Sequence, residues 1–310
     1  MLARYRHVLQ LRSDKDWAKQ GVDVSANPSE LTAPDRGMLA VLSRLISRNE
    51  FFAGLYILGC ANGLLGRIIY SLNLKGWTGA VLGVDINVIV LLSCFAGLSV
   101  MLFDDAQEIR LADLGVAVPF LILVILPIFS LSWVAVTGLS LYLLLFASNC
   151  SARRRGALIF LALTVPMLWS RLLFQFFANI LLEIDASLAA SLLGTDRIGN
   201  IVRFADDSGY MMVTPACASF ANVSFAFLCW VSISQWANHR WSSIDLVWSS
   251  LACVSVVAVN VLRIAVTGLS HESYDAIHNQ WGEMIVGLII LCLTVGFSVL
   301  GARRELFTRL

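Results

Sequence analysis

Charge is scarce in this sequence. Asp, Glu, Lys and Arg make up 14% of its 310 residues, against about 25% in an ordinary soluble domain. Apolar residues make up 58% and the mean hydropathy is +0.78, a balance that speaks against a large soluble protein with a few buried helices. Also missing is an excess of one sign: the net charge is +1, so no global field draws nucleic acid as a partner. The seven cysteines (Cys60, Cys94, Cys150, Cys217, Cys229, Cys253 and Cys292) form no CxxC pair and no cluster with zinc-ligand spacing. That argues against a structural metal site and a disulfide framework, and leaves most of them as small apolar fillers inside helices. Residues 1–48 have no apolar core followed by a small-residue cleavage site, so they read as a cytosolic segment rather than a signal peptide. No internal repeat and no low-complexity tract stands out.

What is present is a series of apolar runs near twenty residues long, each enough to cross about 30 Å of hydrocarbon as a helix. They predict an all-α integral membrane protein with about eight transmembrane helices, at roughly 51–70, 80–103, 114–131, 133–149, 156–180, 216–235, 246–268 and 283–301. The third and fourth are short and share a tight turn around Ser130–Trp133. The chain divides into a cytosolic segment (1–48), four N-terminal spans (49–150), a membrane core with spans five to eight (151–302) and a basic tail (303–310). Lys and Arg near span ends set orientation. Arg4, Arg6, Arg12, Lys15, Lys19, Arg36, Arg44 and Arg48 put the N-terminal segment in the cytosol. Eight spans then bring Arg110, the Arg153-Arg154-Arg155 run, Arg240 and Arg303-Arg304 to the same side, with Lys75, Arg171, Arg197 and Arg203 as a sparse set of exceptions on the outer half. Both termini are cytosolic in this reading.

The outer side receives the long segment 181–215, the start of span six at Cys217 and the loop SHESYDAIHNQWGE. Within the first, Ile180, Leu181, Ile184, Leu188 and Leu192 recur at helical intervals, and Gly194 can cap them. They predict an amphipathic helix lying on the outer surface. Ile201–Phe204 and Tyr210–Val213 flank the turn signal Asp206-Asp207-Ser208-Gly209 and predict a small hairpin. Pro215 is placed to open the helix that bears Cys217.

Three residues then converge at one depth: Cys217 in the first turn of span six, Arg263 near the outer end of span seven, and His278 just before span eight. Each has an ordinary reading alone, as a helix-start filler, a snorkelling cation and a surface loop residue. Together they offer a nucleophile, a fixed cation and a base. A helix N-terminus and a nearby cation favour the thiolate form of a cysteine. Imidazole can take the thiol proton and return it to a leaving amine. A guanidinium or backbone N–H groups can hold a developing oxyanion. This is the equipment of thiol-based acyl transfer, and it needs no cofactor and no metal. His271 is the nearest rival of His278, while His239 and His7 fall on the cytosolic side.

The order and spacing of Pro215-Ala216-Cys217-Ala218-Ser219, Asn260-Val261-Leu262-Arg263-Ile264 and His278-Asn279-Gln280-Trp281-Gly282 resemble the exosortase/archaeosortase family of multi-pass membrane cysteine transpeptidases. The resemblance covers roughly residues 156–301. Where that family commonly shows Cys-Ser-Gly, this chain has Cys217-Ala218-Ser219. The resemblance implies a protease or transpeptidase that cleaves the C-terminal sorting tail of exported proteins (a short motif, a transmembrane helix and a basic end) at the outer interface of the bilayer. Cys217 would form the thioester, His278 would protonate the leaving amine and Arg263 would steady the charge. Water, or an acceptor amine or glycan, would release the product. Asn260, one helical turn before Arg263, would orient it. Ser219 and Gly282 would support the site, and Asp206, Asp207 and Tyr210 would edge the substrate groove. Two other classes remain: a transporter or scaffold with a polar pathway through Asp85, Asn87, Arg171 and Gln175, and a different cysteine-dependent membrane acyl-transfer enzyme.

Overall fold

Backbone in hydrocarbon has to satisfy its own N–H and C=O groups, and an apolar run does so as a helix. The computed structural model of this chain describes residues 46–82, 87–103, 107–146, 152–239 and 242–307. The basic residues up to Arg44, together with His7, Asp85, Cys150 and Arg240, lie outside them. The described residues are 83% helical, an all-α architecture carrying one small sheet. In chain order the elements are α1 (Arg48–Leu82), α2 (Val88–Leu102), α3 (Leu111–Ile125), α4 (Phe129–Phe146), α5 (Ala152–Thr164), α6 (Ser170–Leu193), β1 (Arg197–Ile198), β2 (Ile201–Arg203), β3 (Tyr210–Met212), α7 (Ser219–Ala237), α8 (Ser243–Thr267), α9 (His271–His278) and α10 (Gln280–Phe307).

Among the described residues six helical stretches are long and apolar enough to cross a membrane: Arg48–Ile69, Phe129–Phe146, Ala152–Leu193, Ser219–Ala237, Ser243–Thr267 and Trp281–Arg303. Helices α2 and α3 are apolar but have 15 residues each, about 22 Å at 1.5 Å per residue. Large apolar side chains such as Phe95, Phe103, Ile125, Leu145 and Phe176 stand exposed on the outside of the bundle, where hydrocarbon rather than water suits them. These are the features of a multi-pass membrane protein.

The connections differ from the sequence reading in three places. Residues 71–79, expected to link the first two spans, continue α1 as helix to Leu82. The turn expected around Ser130–Trp133 falls earlier, at Leu126–Ile128. Pro127 explains the shift: it forces Leu126 out of the helical region (φ −62°, ψ 136°), which ends α3. The amphipathic helix expected on the surface is continuous with the helix before it. Helix α5 passes through a π-helical turn, Val165–Trp169, into α6, with one non-helical residue at Phe177 (φ −117°, ψ 15°). Gly194 caps α6 in the left-handed region at φ 67°. Its apolar stripe, Ile180, Ile184, Leu188 and Leu192, faces outward. The face that packs inward carries Leu182, Asp185, Ala186, Ala189 and Ala190.

Packing follows small residues. On α1, Gly59, Gly63 and Gly66 share one face and admit Phe120, Trp133 and Phe129 respectively. Gly156 of α5 lies against Met101 and the Gly97 carbonyl of α2. The Tyr56 and Phe160 rings stack at 3.9 Å in the bundle centre. One end of the bundle is tied by buried cations. Arg48 donates to both carboxylate oxygens of Asp113, at 2.6 and 2.7 Å, and the Arg110 N–H and Tyr142 hydroxyl donate to the same group. Arg153 donates to Asn49 and Gln107, and Arg155 to the Gln235 carbonyl. The small sheet sits at the other end. Its strands run antiparallel in the order β1-β2-β3, so the expected hairpin is present with one further strand. Its buried face, Val202, Met211 and the flanking Phe204 and Val213, packs on α6, Ala218 and Ile264. Helix α7, whose 19 residues span about 28 Å, separates the two ends: Gln235 lies near its C-terminus and Cys217 just before its start.

Candidate active site

The turn that carries Cys217 is set by Pro215 and Ala218. Pro215 opens a 3-10 turn, Pro215–Cys217, in which the Cys217 N–H donates to the Thr214 carbonyl at 2.8 Å. Ala218 is extended (φ −70°, ψ 135°) and has no polar atom with which to cap a helix. The cap comes from another helix. Asp185 of α6, 4% exposed, accepts from the Ser219 N–H at 2.8 Å and from the Ser219 hydroxyl at 2.7 Å. Helix α7 therefore begins at Ser219, and Cys217 sits two residues before it rather than inside its first turn.

Asn260 completes this clamp. Its side-chain amide donates to the Cys217 carbonyl at 2.6 Å and to Ser219 Oγ at 3.0 Å. Expected as an orienter of Arg263, Asn260 points its amide N–H groups across to the turn of Cys217, and it is 0% exposed. Arg263 lies one turn before the end of α8 and, among the described residues, makes no ion pair. His278 ends α9, a helix that forms where the sequence suggested a loop because Ser270 caps it through the Ser273 N–H. The His278 ring stacks on Tyr274 at 4.2 Å, and its Nδ1 lies 3.0 Å from the Tyr274 carbonyl. A carbonyl only accepts, so Nδ1 carries the proton and Nε2 is the basic nitrogen of the neutral ring. Gly282 is confined sterically. A Cβ there would come within 2.5 Å of the Ile277 carbonyl oxygen and 2.6 Å of that of Ala276. Its N–H donates to Asn279 Oδ1, which starts α10.

Cys217, Arg263 and His278 line one cavity of about 370 Å³. Met211, Met212, Val213 and Thr214 form its wall on the sheet side. Asn222 contributes from α7, Ile264 and Thr267 from α8, Tyr274 from α9, and Glu283, Val286, Gly287 and Ile290 from α10. The Thr214 hydroxyl points to the Cys217 sulfur at 3.6 Å. Backbone donors at the turn are already engaged: the N–H groups of Cys217, Ala218 and Ser219 bond to Thr214, Pro215 and Asp185. Among the described lining residues Arg263 is the fixed cation left to meet a developing negative charge.

The remaining expectations fall elsewhere. Asp206, Asp207 and Tyr210 do not line the cavity. Both aspartates are at the exposed hairpin tip, where Asp207 pairs with Arg203 at 3.0 Å. The Ser208 hydroxyl and N–H bond to Asp206 and hold its carboxyl below the usual range. Tyr210 is exposed, and Met211–Thr214 form the wall instead. His271 packs against Phe204 at 5.3 Å, outside the cavity, and His239 pairs with Asp245 at the opposite end. Asn87 caps α2 and lines a second cavity of about 190 Å³, whereas Arg171 and Gln175 are exposed on α6.

Sequence reasoning missed Asp185, Thr214, Tyr274 and Glu283. A signal for Asp185 existed: one acid heading a row of small residues, Ala186, Ala189 and Ala190, on the less apolar face of its helix. No family model matches the chain, and no curated protein or solved structure matches it.

Proposed function

We propose that this chain is a membrane-embedded cysteine protease or transpeptidase of the kind its resemblance to the exosortase/archaeosortase family implies. In this reading it cleaves the C-terminal sorting tail of exported proteins. The supporting observation is the shared cavity of Cys217, Arg263 and His278, contributed by three separate elements. The Cys217 sulfur attacks the scissile carbonyl carbon and its proton passes to His278 Nε2. Arg263 faces the oxyanion, since the neighbouring backbone donors are engaged. The intermediate collapses, the C–N bond breaks, and His278 gives the proton to the departing amine. Water, or an acceptor amine or glycan, then attacks the thioester and frees the thiol.

The topology that goes with this reading has eight spans, with α2 and α3 as short crossings. Both termini and the Arg48 cluster are cytosolic, and the sheet and cavity are extracytoplasmic, in a prokaryotic plasma membrane. A membrane-impermeant maleimide tests it in intact cells. Wild type is expected to label from outside, Cys217→Ala to lose that label, and His278→Ala to label more slowly. Labelling of Cys217 only after permeabilisation would overturn the orientation and the sorting role with it.

A further inference from the structure

Strand β3 is the last strand of its sheet, and its main chain shows which groups are spare. The Phe204 N–H donates to the Gly209 carbonyl at 3.0 Å, and the Val213 N–H to the Asn200 carbonyl at 2.9 Å. With the register Val202↔Met211, the groups of Gly209, Met211 and Val213 turn toward β2. Those of Tyr210 and Met212 therefore turn toward the free edge. Among the described residues these outward groups have no backbone partner outside the sheet. The edge also faces the cavity. Met211, Met212 and Val213 are consecutive strand residues whose side chains alternate between faces, yet all three line it, so the cavity runs along the strand's edge.

The exposed face of the sheet carries a cross-strand row, Ile198, Ile201 and Met212, with exposures of 75%, 37% and 60%. The row ends at Met212, where the cavity begins. Two residues farther along, the Thr214 hydroxyl meets the Cys217 sulfur.

We propose that the substrate is bound as an extended peptide that pairs with the edge of β3 as a fourth strand and delivers its carbonyl to Cys217. This rests on the reading of Cys217 as the nucleophile. With the substrate's membrane segment following the scissile bond, the residues before that bond run beside β3, parallel to it. A strand rises about 3.3 Å per residue, so the peptide residue beside Met212 lies about two residues, or about 7 Å, before the scissile carbonyl. Its side chain extends the Ile198–Ile201–Met212 row and is apolar. The main-chain bonds hold the peptide and the row selects it.

The test uses the full chain in lipid nanodiscs and the probe acetyl-Val-Ala-Val-Ala-Ala-chloromethyl ketone, from which the Cys217 sulfur displaces chloride. Each residue of the probe is N-methylated in turn, and alkylation rates are compared with those of chloroacetamide. Methylation at alternate residues is expected to slow alkylation about five- to tenfold, the worth of one main-chain hydrogen bond, with little effect at the residues between. Met212→Pro removes an outward N–H that the β2–β3 ladder does not use, and it should lower the peptide-to-chloroacetamide rate ratio by a similar factor. A flat N-methyl scan in wild type would overturn the edge pairing whatever the variant does, and Cys217 would still stand as a nucleophile if chloroacetamide labels it. Failure of both reagents to modify Cys217 would remove the nucleophile itself, and the pairing with it.

Discussion

The turn of Cys217 is positioned by side chains from elsewhere in the fold. Asp185 and Asn260 hold the turn from two different helices, through Ser219 and through the Cys217 carbonyl. Asp185→Ala strips the Ser219 N–H and hydroxyl of their acceptors at a buried site. It should cost about 1–3 kcal/mol, read as a lower thermal midpoint in detergent. It should also slow Cys217 alkylation at temperatures where the variant is still folded. Gly282→Ala acts on the other side of the cavity. Its Cβ would meet backbone that cannot move aside as a flexible side chain does. The corner between α9 and α10 should open, displacing His278, so processing is lost while chloroacetamide still labels Cys217. Parts of this were legible in the sequence, such as Pro215 just before Cys217 from residue type, and Gly282 from the resemblance. The Asp185 clamp was not, because it joins positions 34 residues apart and leaves no local pattern at Cys217.

Among the elements, the helices were read well where an apolar run ended in a proline or a capped turn, and poorly where polar residues failed to break them. Residues 71–79 look like a loop by composition, yet α1 runs through them. The stripe of α6 was read correctly as amphipathic, but hydrophobic spacing does not say whether the stripe or its opposite face meets the protein. Small residues decide that. In α6 the alanine face packs, and at the α2–α5 crossing Gly97 and Gly156 let the backbones approach. Gly156→Leu would press on Met101 and the Gly97 carbonyl. It is expected to destabilise by about 1–3 kcal/mol, seen as a lower unfolding midpoint.

At the scale of the molecule, the two ends differ in chemistry. One is bound by buried Arg48 and Arg153, the other by a sheet and a cavity. Arg48, Arg110 and Arg153, which the spacing of basic residues puts on one side, do gather at one end. Single cysteines introduced by Ser208→Cys at the hairpin tip and Ser243→Cys at the start of α8, each in a background with all seven native cysteines replaced, should label from opposite sides of sealed vesicles. Labelling from the same side would contradict an odd number of crossings between the sheet end and the Arg48 end. Asp113→Ala should be costly, about 3–5 kcal/mol, because it strands a buried guanidinium.

Helix α6 continues α5 past a π-helical turn and the kink at Phe177 before it offers Asp185 to the turn of Cys217. Its outward stripe lies against whatever surrounds the protein. A bilayer of altered thickness tilts the helices it embeds, and here the same helix also carries Asp185, the anchor of the Cys217 turn. Under the proposed reading, the rate of Cys217 alkylation in nanodiscs is expected to change with acyl-chain length.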